Sequence, residues 1–112
     1  MKRNCLTGIK FGWQFRKLLK RGFRFKGDVL RARYSKNTLG QIRLGFSVSA
    51  KTGNAVERNL FKRRLRQYSA ERAVDIGFDA VIFPIVPLKE TNWNKMMEDM
   101  EKLVFHAEKR LG

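Results

Sequence analysis

Residues Ala55 to Arg66, AVERNLFKRRLR, constrain this chain more than any other stretch, because they can form a helix only with two opposed faces. At ~100° per residue from Arg58, Lys62 falls at about 40°, Arg66 at about 80°, Asn59 at about 100° and Arg63 at about 140°. Phe61, Leu65 and Tyr68 gather between about 280° and 340° on the same wheel. One side is an apolar stripe for a core, and the other is cationic and hydrogen-bonding. Arg58, Lys62 and Arg66 stand four residues apart, the spacing at which like charges repel, and the only acid in the run is Glu57. A basic run is ordinarily a solvated face with mixed signs; this one has the composition of a face awaiting a polyanion.

The whole chain points the same way. With 112 residues and 43% hydrophobic content there is room for one domain, residues 1–112, built on one core. Residues 1–66 hold nineteen Lys and Arg against two acids, a net of +17, whereas residues 67–112 hold six against eight, a net of −2. That asymmetry, at an isoelectric point near 10.8, is the footprint of a nucleic-acid binder. A membrane role is not expected: the longest apolar run, Ala80 to Leu88, is broken by Pro84 and Pro87 and falls short of the ~20 residues that span a bilayer. The start, MKRNCLTGIKFGW, lacks the apolar stretch of a secretory signal, which predicts a cytoplasmic protein. Cys5 is the single cysteine and His106 the single histidine, so neither a disulfide nor a thiolate cluster can form within the chain. Paired carboxylates, a phosphate-binding glycine loop and metal-ligand spacing are likewise missing. Any catalysis belongs to a partner.

Along the chain, Gln14 to Arg21 reads as a short helix stopped by Gly22, and Phe23 and Phe25 suggest a short strand. Asp28 to Tyr34 alternates, with Leu30, Ala32 and Tyr34 on one face and Val29, Arg31 and Arg33 on the other. Ile42 to Ser49 alternates as well, Ile42, Leu44, Phe46 and Val48 inward and Arg43, Gly45, Ser47 and Ser49 outward, and these two runs read as an antiparallel hairpin across the turn Lys36 to Gly40. Asn54 is the expected cap of the basic helix, which runs to about Ala70. Asp79 to Pro84 suits a strand buried on both faces. Thr91 or Asn92 caps a last helix whose Trp93, Met96, Met97, Met100, Leu103, Val104, Ala107 and Leu111 form a core stripe. The order predicts an α+β fold, one sheet with helices packed against it.

GNAVERNLFKRRLR, Gly53 to Arg66, resembles the signature of the bacterial ribonuclease P protein subunit, matching it at Ala55, Arg58, Asn59, Lys62, Arg63 and Arg66. IRLGFSVS, Ile42 to Ser49, is similar to the strand that precedes that motif; QFRKLLKRG, Gln14 to Gly22, is similar to the family's first helix, and Phe78 to Phe83 to its later strand. The chain departs from the pattern at Leu60, where many members are basic, at Phe61, where they carry a branched aliphatic, and at Leu19, where they carry a second aromatic. The resemblance implies a single-domain α/β sandwich, ribosomal-protein-S5-domain-2-like, with a left-handed crossover through the basic helix.

It also implies a function. The family's protein joins a catalytic RNA that removes the 5′ leader from precursor tRNA, with magnesium ions and all catalytic groups on the RNA. By that pattern Arg58, Asn59, Lys62, Arg63 and Arg66 contact the catalytic RNA, and Ala55 is a packing residue. Phe15 stacks a base of the single-stranded leader while Arg31, Arg33 and Arg43 follow its backbone. Two alternatives use the same charge: a ribosomal or general RNA-binding protein, and a DNA-binding regulator with Ala55 to Arg66 as recognition helix. The second lacks a helix-turn-helix partner, since the preceding segment alternates as a strand.

Overall fold

In the computed structural model, which describes residues 12–112, the chain runs α1 (Gly12–Arg21), β1 (Phe23–Lys26), β2 (Leu30–Lys36), β3 (Ile42–Phe46), α2 (Ala55–Glu71), β4 (Phe78–Pro84), a 3-10 turn (Leu88–Glu90) and α3 (Trp93–Leu111). Cys5 and the charged start lie outside the described residues. β4 is buried along almost its whole length, and this places it inside a four-stranded sheet of order β1-β2-β4-β3. β1 pairs antiparallel with β2, β2 antiparallel with β4, and β3 parallel with β4.

The hairpin expected between β2 and β3 does not exist. β4 lies between them, because a strand with Ala80 and Ile82 on one side and Val81 on the other can be buried only with a neighbour on each edge. The real hairpin is β1–β2. The segment after β2 instead crosses the end of β4, where the Asn37 backbone N–H donates to the Gly77 carbonyl at 3.1 Å. Gly77 is required there: a Cβ would lie 2.4 Å from Asn37 Oδ1 and 2.6 Å from the backbone nitrogens of Gly40 and Gln41.

The inner face of the sheet carries Phe25, Leu30, Ala32, Tyr34, Ile42, Leu44, Phe78, Ala80 and Ile82. Against it pack Phe61 and Leu65 of α2 and Met96, Met100, Leu103, Val104 and Ala107 of α3. Burial of each leucine, isoleucine, valine, phenylalanine or methionine among them contributes about 1.5–3 kcal/mol. The methionine stripe is therefore core. Val29, expected to face outward, precedes the strand and turns its side chain into this core. Phe46 and Val48 pack on it half-buried.

The opposite face carries the register rows Lys26, Arg31 and Phe83; Arg24, Arg33, Val81 and Gly45; and Ser35, Asp79 and Arg43. α1 covers part of it, packing on β2 and β4 with Leu18 buried. Gly22 lets the helix end this close: a Cβ there would sit 2.6 Å from the Leu18 carbonyl oxygen and 3.1 Å from the Tyr34 nitrogen.

Candidate nucleic-acid interface

The basic helix begins on a reciprocal cap. The Glu57 N–H donates to Asn54 Oδ1 at 2.8 Å, and the Asn54 N–H donates to Glu57 Oε1 at 2.8 Å. Glu57, the run's only acid, is thus consumed at the helix start, where a negative charge also suits the helix dipole. Downstream, Phe61 and Leu65 are fully buried, Arg58 and Lys62 half-buried, and Asn59, Arg63 and Arg66 exposed. None of these four cations is ion-paired among the described residues.

One member of the face is held in place, and another is buried at its Nε without an acceptor among the described residues. The Arg66 guanidinium lies over the Phe46 ring, 5.3 Å from its centroid, and Phe46 meets Phe61 edge-on at 5.9 Å. Core packing thereby fixes a surface cation. Arg58 has its Nε buried with no hydrogen-bond acceptor among the described residues. Ala55, expected to pack, is exposed instead, because it is the first helical residue and precedes Phe61, where the buried stripe starts.

A second basic surface is a hollow of about 500 Å³ between α1 and the outer sheet face, lined by Leu19, Arg24, Lys26, Arg31, Arg33 and Phe83 among others. Arg31 lies over the Phe83 ring at 5.3 Å. Phe15 is half-buried one helical turn before Leu19, on the same side of α1. Arg31 thus lines this hollow, whereas Phe15 lies on α1 beside Leu19 and is not among its lining residues.

The other two residues assigned to the leader are already engaged. Arg33 Nε donates to the Gly22 carbonyl at 3.1 Å, tying the end of α1 to β2. Arg43 makes a bidentate pair with Asp79 at 2.9 and 2.7 Å, each side chain only 12% exposed, and Asn37 Nδ2 donates to the same carboxylate at 2.8 Å. The hydrogen bonds from Arg43 to Asp79 raise the guanidinium's pKa above its ordinary value. Arg24 and Lys26, not singled out from the sequence, take the free positions. Their signal was present in FRFK, where two cations alternate with two aromatics.

The hairpin that carries these cations is anchored from behind by Asp99, a fully buried residue of α3. Its Oδ2 accepts the N–H groups of Val29 at 2.7 Å and Leu30 at 3.1 Å, and its Oδ1 accepts that of Asp28 at 3.1 Å. A Cβ on Gly27 would lie 2.4 Å from Asp99 Cγ, so the turn needs glycine for close approach. On the far side of α2, the Tyr68 hydroxyl donates to Glu101, which also holds Arg72 at 2.9 Å. Burial raises the Tyr68 pKa above its ordinary value, and the Arg72 hydrogen bond lowers that of Glu101.

The described residues contain no helix long and apolar enough to cross a membrane. They also contain no group of three or more His, Cys, Asp or Glu placed to hold a metal ion.

Residues 6–108 match the family described as Ribonuclease P. The ribonuclease P protein component of Clavibacter michiganensis is 33% identical over 109 residues, 95% of this chain and 94% of that one. Its counterpart in Thermoanaerobacter sp. is 30% identical over 106 residues, covering 91% and 90%. The fold superposes on the Staphylococcus aureus ribonuclease P protein with a TM-score of 0.72 and 27% identity, over 88% of this chain and 92% of that one. With sequence and fold matching over nearly the same span, the chain belongs to the ribonuclease P protein family.

Proposed function

We propose that the exposed cationic face of α2 binds the RNA of ribonuclease P, and that the hollow between α1 and the sheet takes the single-stranded 5′ leader of precursor tRNA. The family works with that RNA in a ribonucleoprotein endonuclease that processes tRNA. One observation carries the reading for this chain: Arg58, Lys62, Arg63 and Arg66 share a face whose only nearby acid is spent in the helix cap. Guanidinium forks accept phosphate bidentately, and each neutralised phosphate releases counterions. An RNA oxygen also supplies the acceptor that the buried Arg58 Nε–H lacks; leaving such a donor unmatched costs about 1–3 kcal/mol.

At the second surface, Phe15 offers a stacking face, and Arg31, Arg24 and Lys26 offer charge. Stacking tolerates any base, which suits leaders of varied sequence. Arg33 and Arg43 act there as supports: one fixes the angle of α1, the other the far end of the sheet.

The described residues do not fit a magnesium site of their own. The buried carboxylates are engaged, Asp79 by Arg43 and Asn37 and Asp99 by backbone N–H groups. In this reading magnesium and the hydrolytic chemistry belong to the RNA, and the protein contributes binding and charge neutralisation. The reading makes the whole chain one such domain acting in the cytoplasm, with neither DNA nor membrane as its ligand.

Gel shifts with ribonuclease P RNA, a ribosomal RNA fragment and duplex DNA at matched salt test this. Tighter binding of ribonuclease P RNA is expected, and Arg58→Ala or Arg63→Ala should lower the slope of log K against log salt by about one each. Equal affinity for all three nucleic acids, or an unchanged slope in both variants, overturns it.

A further inference from the structure

We propose that the groove between α2 and the start of α3 is an additional RNA contact, which takes one unpaired nucleotide of the partner RNA on a stack formed by Trp93 and Arg64. The proposal rests on the reading that ribonuclease P RNA is the partner, and its two stacking residues, Arg64 and Trp93, are not among the six motif positions.

The groove, of about 450 Å³, is lined by Arg63, Arg64, Gln67, Trp93 and Met97, among others. Arg64 lies ~100° around the helix from Arg63 and on the side away from Arg66. Its guanidinium sits over the Trp93 ring, 4.5 Å from the centroid, the shortest of the cation-to-ring distances among the described residues. Trp93 is itself fixed. It is the first residue of α3, directly after the Asn92 cap, and is half-buried against the core.

Arg64 differs from the other arginines outside the motif that have partners. Arg72 is held by Glu101, Arg43 by Asp79 and Arg33 by a backbone carbonyl. Arg64 is exposed and, among the described residues, has no acceptor for its N–H groups. A guanidinium held over an indole can offer its outer side for base stacking and its N–H groups to phosphate or base oxygens. Because the stack already restricts the side chain, less rotamer freedom is lost on binding.

Charge decides the occupant and its extent. Arg63 belongs both to this groove and to the α2 face, so RNA held on the motif residues reaches Arg64 without a gap. Glu71 lines the groove as well, and Glu101 lies beyond Met97 on the adjoining surface. A phosphate backbone running onward would meet carboxylates. The groove therefore suits a single nucleotide turned out of the bound RNA rather than a strand passing through.

The test uses the full chain with Trp13→Phe, which leaves Trp93 as the sole tryptophan. Titration with ribonuclease P RNA should quench Trp93 emission along the same isotherm as a gel shift. Arg64→Lys should weaken binding about 5- to 30-fold at an unchanged salt slope, because the charge stays and the stacking plane goes. Arg64→Gln should weaken binding and lower the slope by about one as well. Because Arg64 is exposed, both variants should keep the parent's urea midpoint. A gel shift with unmoved Trp93 emission, or an Arg64→Lys variant that binds as tightly as the parent, overturns this proposal alone. Failure of the parent to shift the RNA overturns the underlying reading, and this proposal with it.

Discussion

Asp99→Ala should be among the most damaging single substitutions in this chain, although Asp99 touches no proposed ligand. The carboxylate accepts three backbone N–H groups of the β1–β2 turn in a fully buried position. Asp28 is exposed, so its N–H recovers a water partner. Val29 and Leu30 are buried, and leaving two such donors unmatched costs about 1–3 kcal/mol each. Partial entry of water brings the expected loss to about 3 kcal/mol, against a total stability of ~5–15 kcal/mol for a domain. With a urea slope of roughly 1.5 kcal/mol/M, the midpoint should fall by about 2 M at an unchanged slope. Gly27→Ala supplies the second leg, since its Cβ would lie 2.4 Å from Asp99 Cγ. Its cost should be large in the parent and much reduced beside Asp99→Ala, a coupling that a double-mutant cycle reads directly. A loss below about 1 kcal/mol, or additive behaviour of the pair, would refute the claim that this carboxylate holds the turn.

Other outcomes follow from the same geometry. Arg43→Ala leaves Asp79 without its charged partner; at 12% exposure the loss, read by urea unfolding, should be about 2–3 kcal/mol, below the ~3–5 kcal/mol of a fully buried pair. The same variant should not change the preference for leader-bearing over mature tRNA in competition binding. Phe15→Ala should weaken precursor tRNA binding about 5- to 30-fold and leave mature tRNA untouched; equal weakening of both removes the stacking role. Tyr68 has a folded-state pKa raised above its ordinary value of about 10, so its contribution is fully present below that pH and is lost as pH rises through the folded value. Stability measured by urea between neutral and strongly alkaline pH should decline above about pH 10, and Tyr68→Phe should reduce that decline.

Local features of the fold were legible in the sequence, and non-local ones were not. The α2 face, its Asn54 cap and the core stripe of α3 follow from helical periodicity and neighbours a few residues apart. Strand partners do not. The alternation of β2 and β3 gave each strand its inward face, but the hairpin drawn between them failed because β4, far along the chain, claims both edges. The candidate site divides similarly. Arg31, Arg33 and Arg43 carry the same outward signal, and only tertiary partners separate them: Gly22 takes Arg33, Asp79 takes Arg43, and Arg31 is left on Phe83. Asp99 was invisible for the same reason, since its closest partner, Val29, lies 70 residues away. Arg24 and Lys26 were overlooked because their strand was recognised by its phenylalanines.

The most direct test of the central claim is leader removal in reconstitution. Precursor tRNA is incubated with a ribonuclease P RNA at magnesium too low for that RNA to act alone, with and without this chain, and the released 5′ leader is measured. Cleavage should appear only when chain and RNA are together, fall with Arg58→Ala or Arg63→Ala, and be nil with the chain alone. Cleavage that does not depend on the chain, or that the chain performs without RNA, would contradict the assignment of binding to the protein and chemistry to its partner.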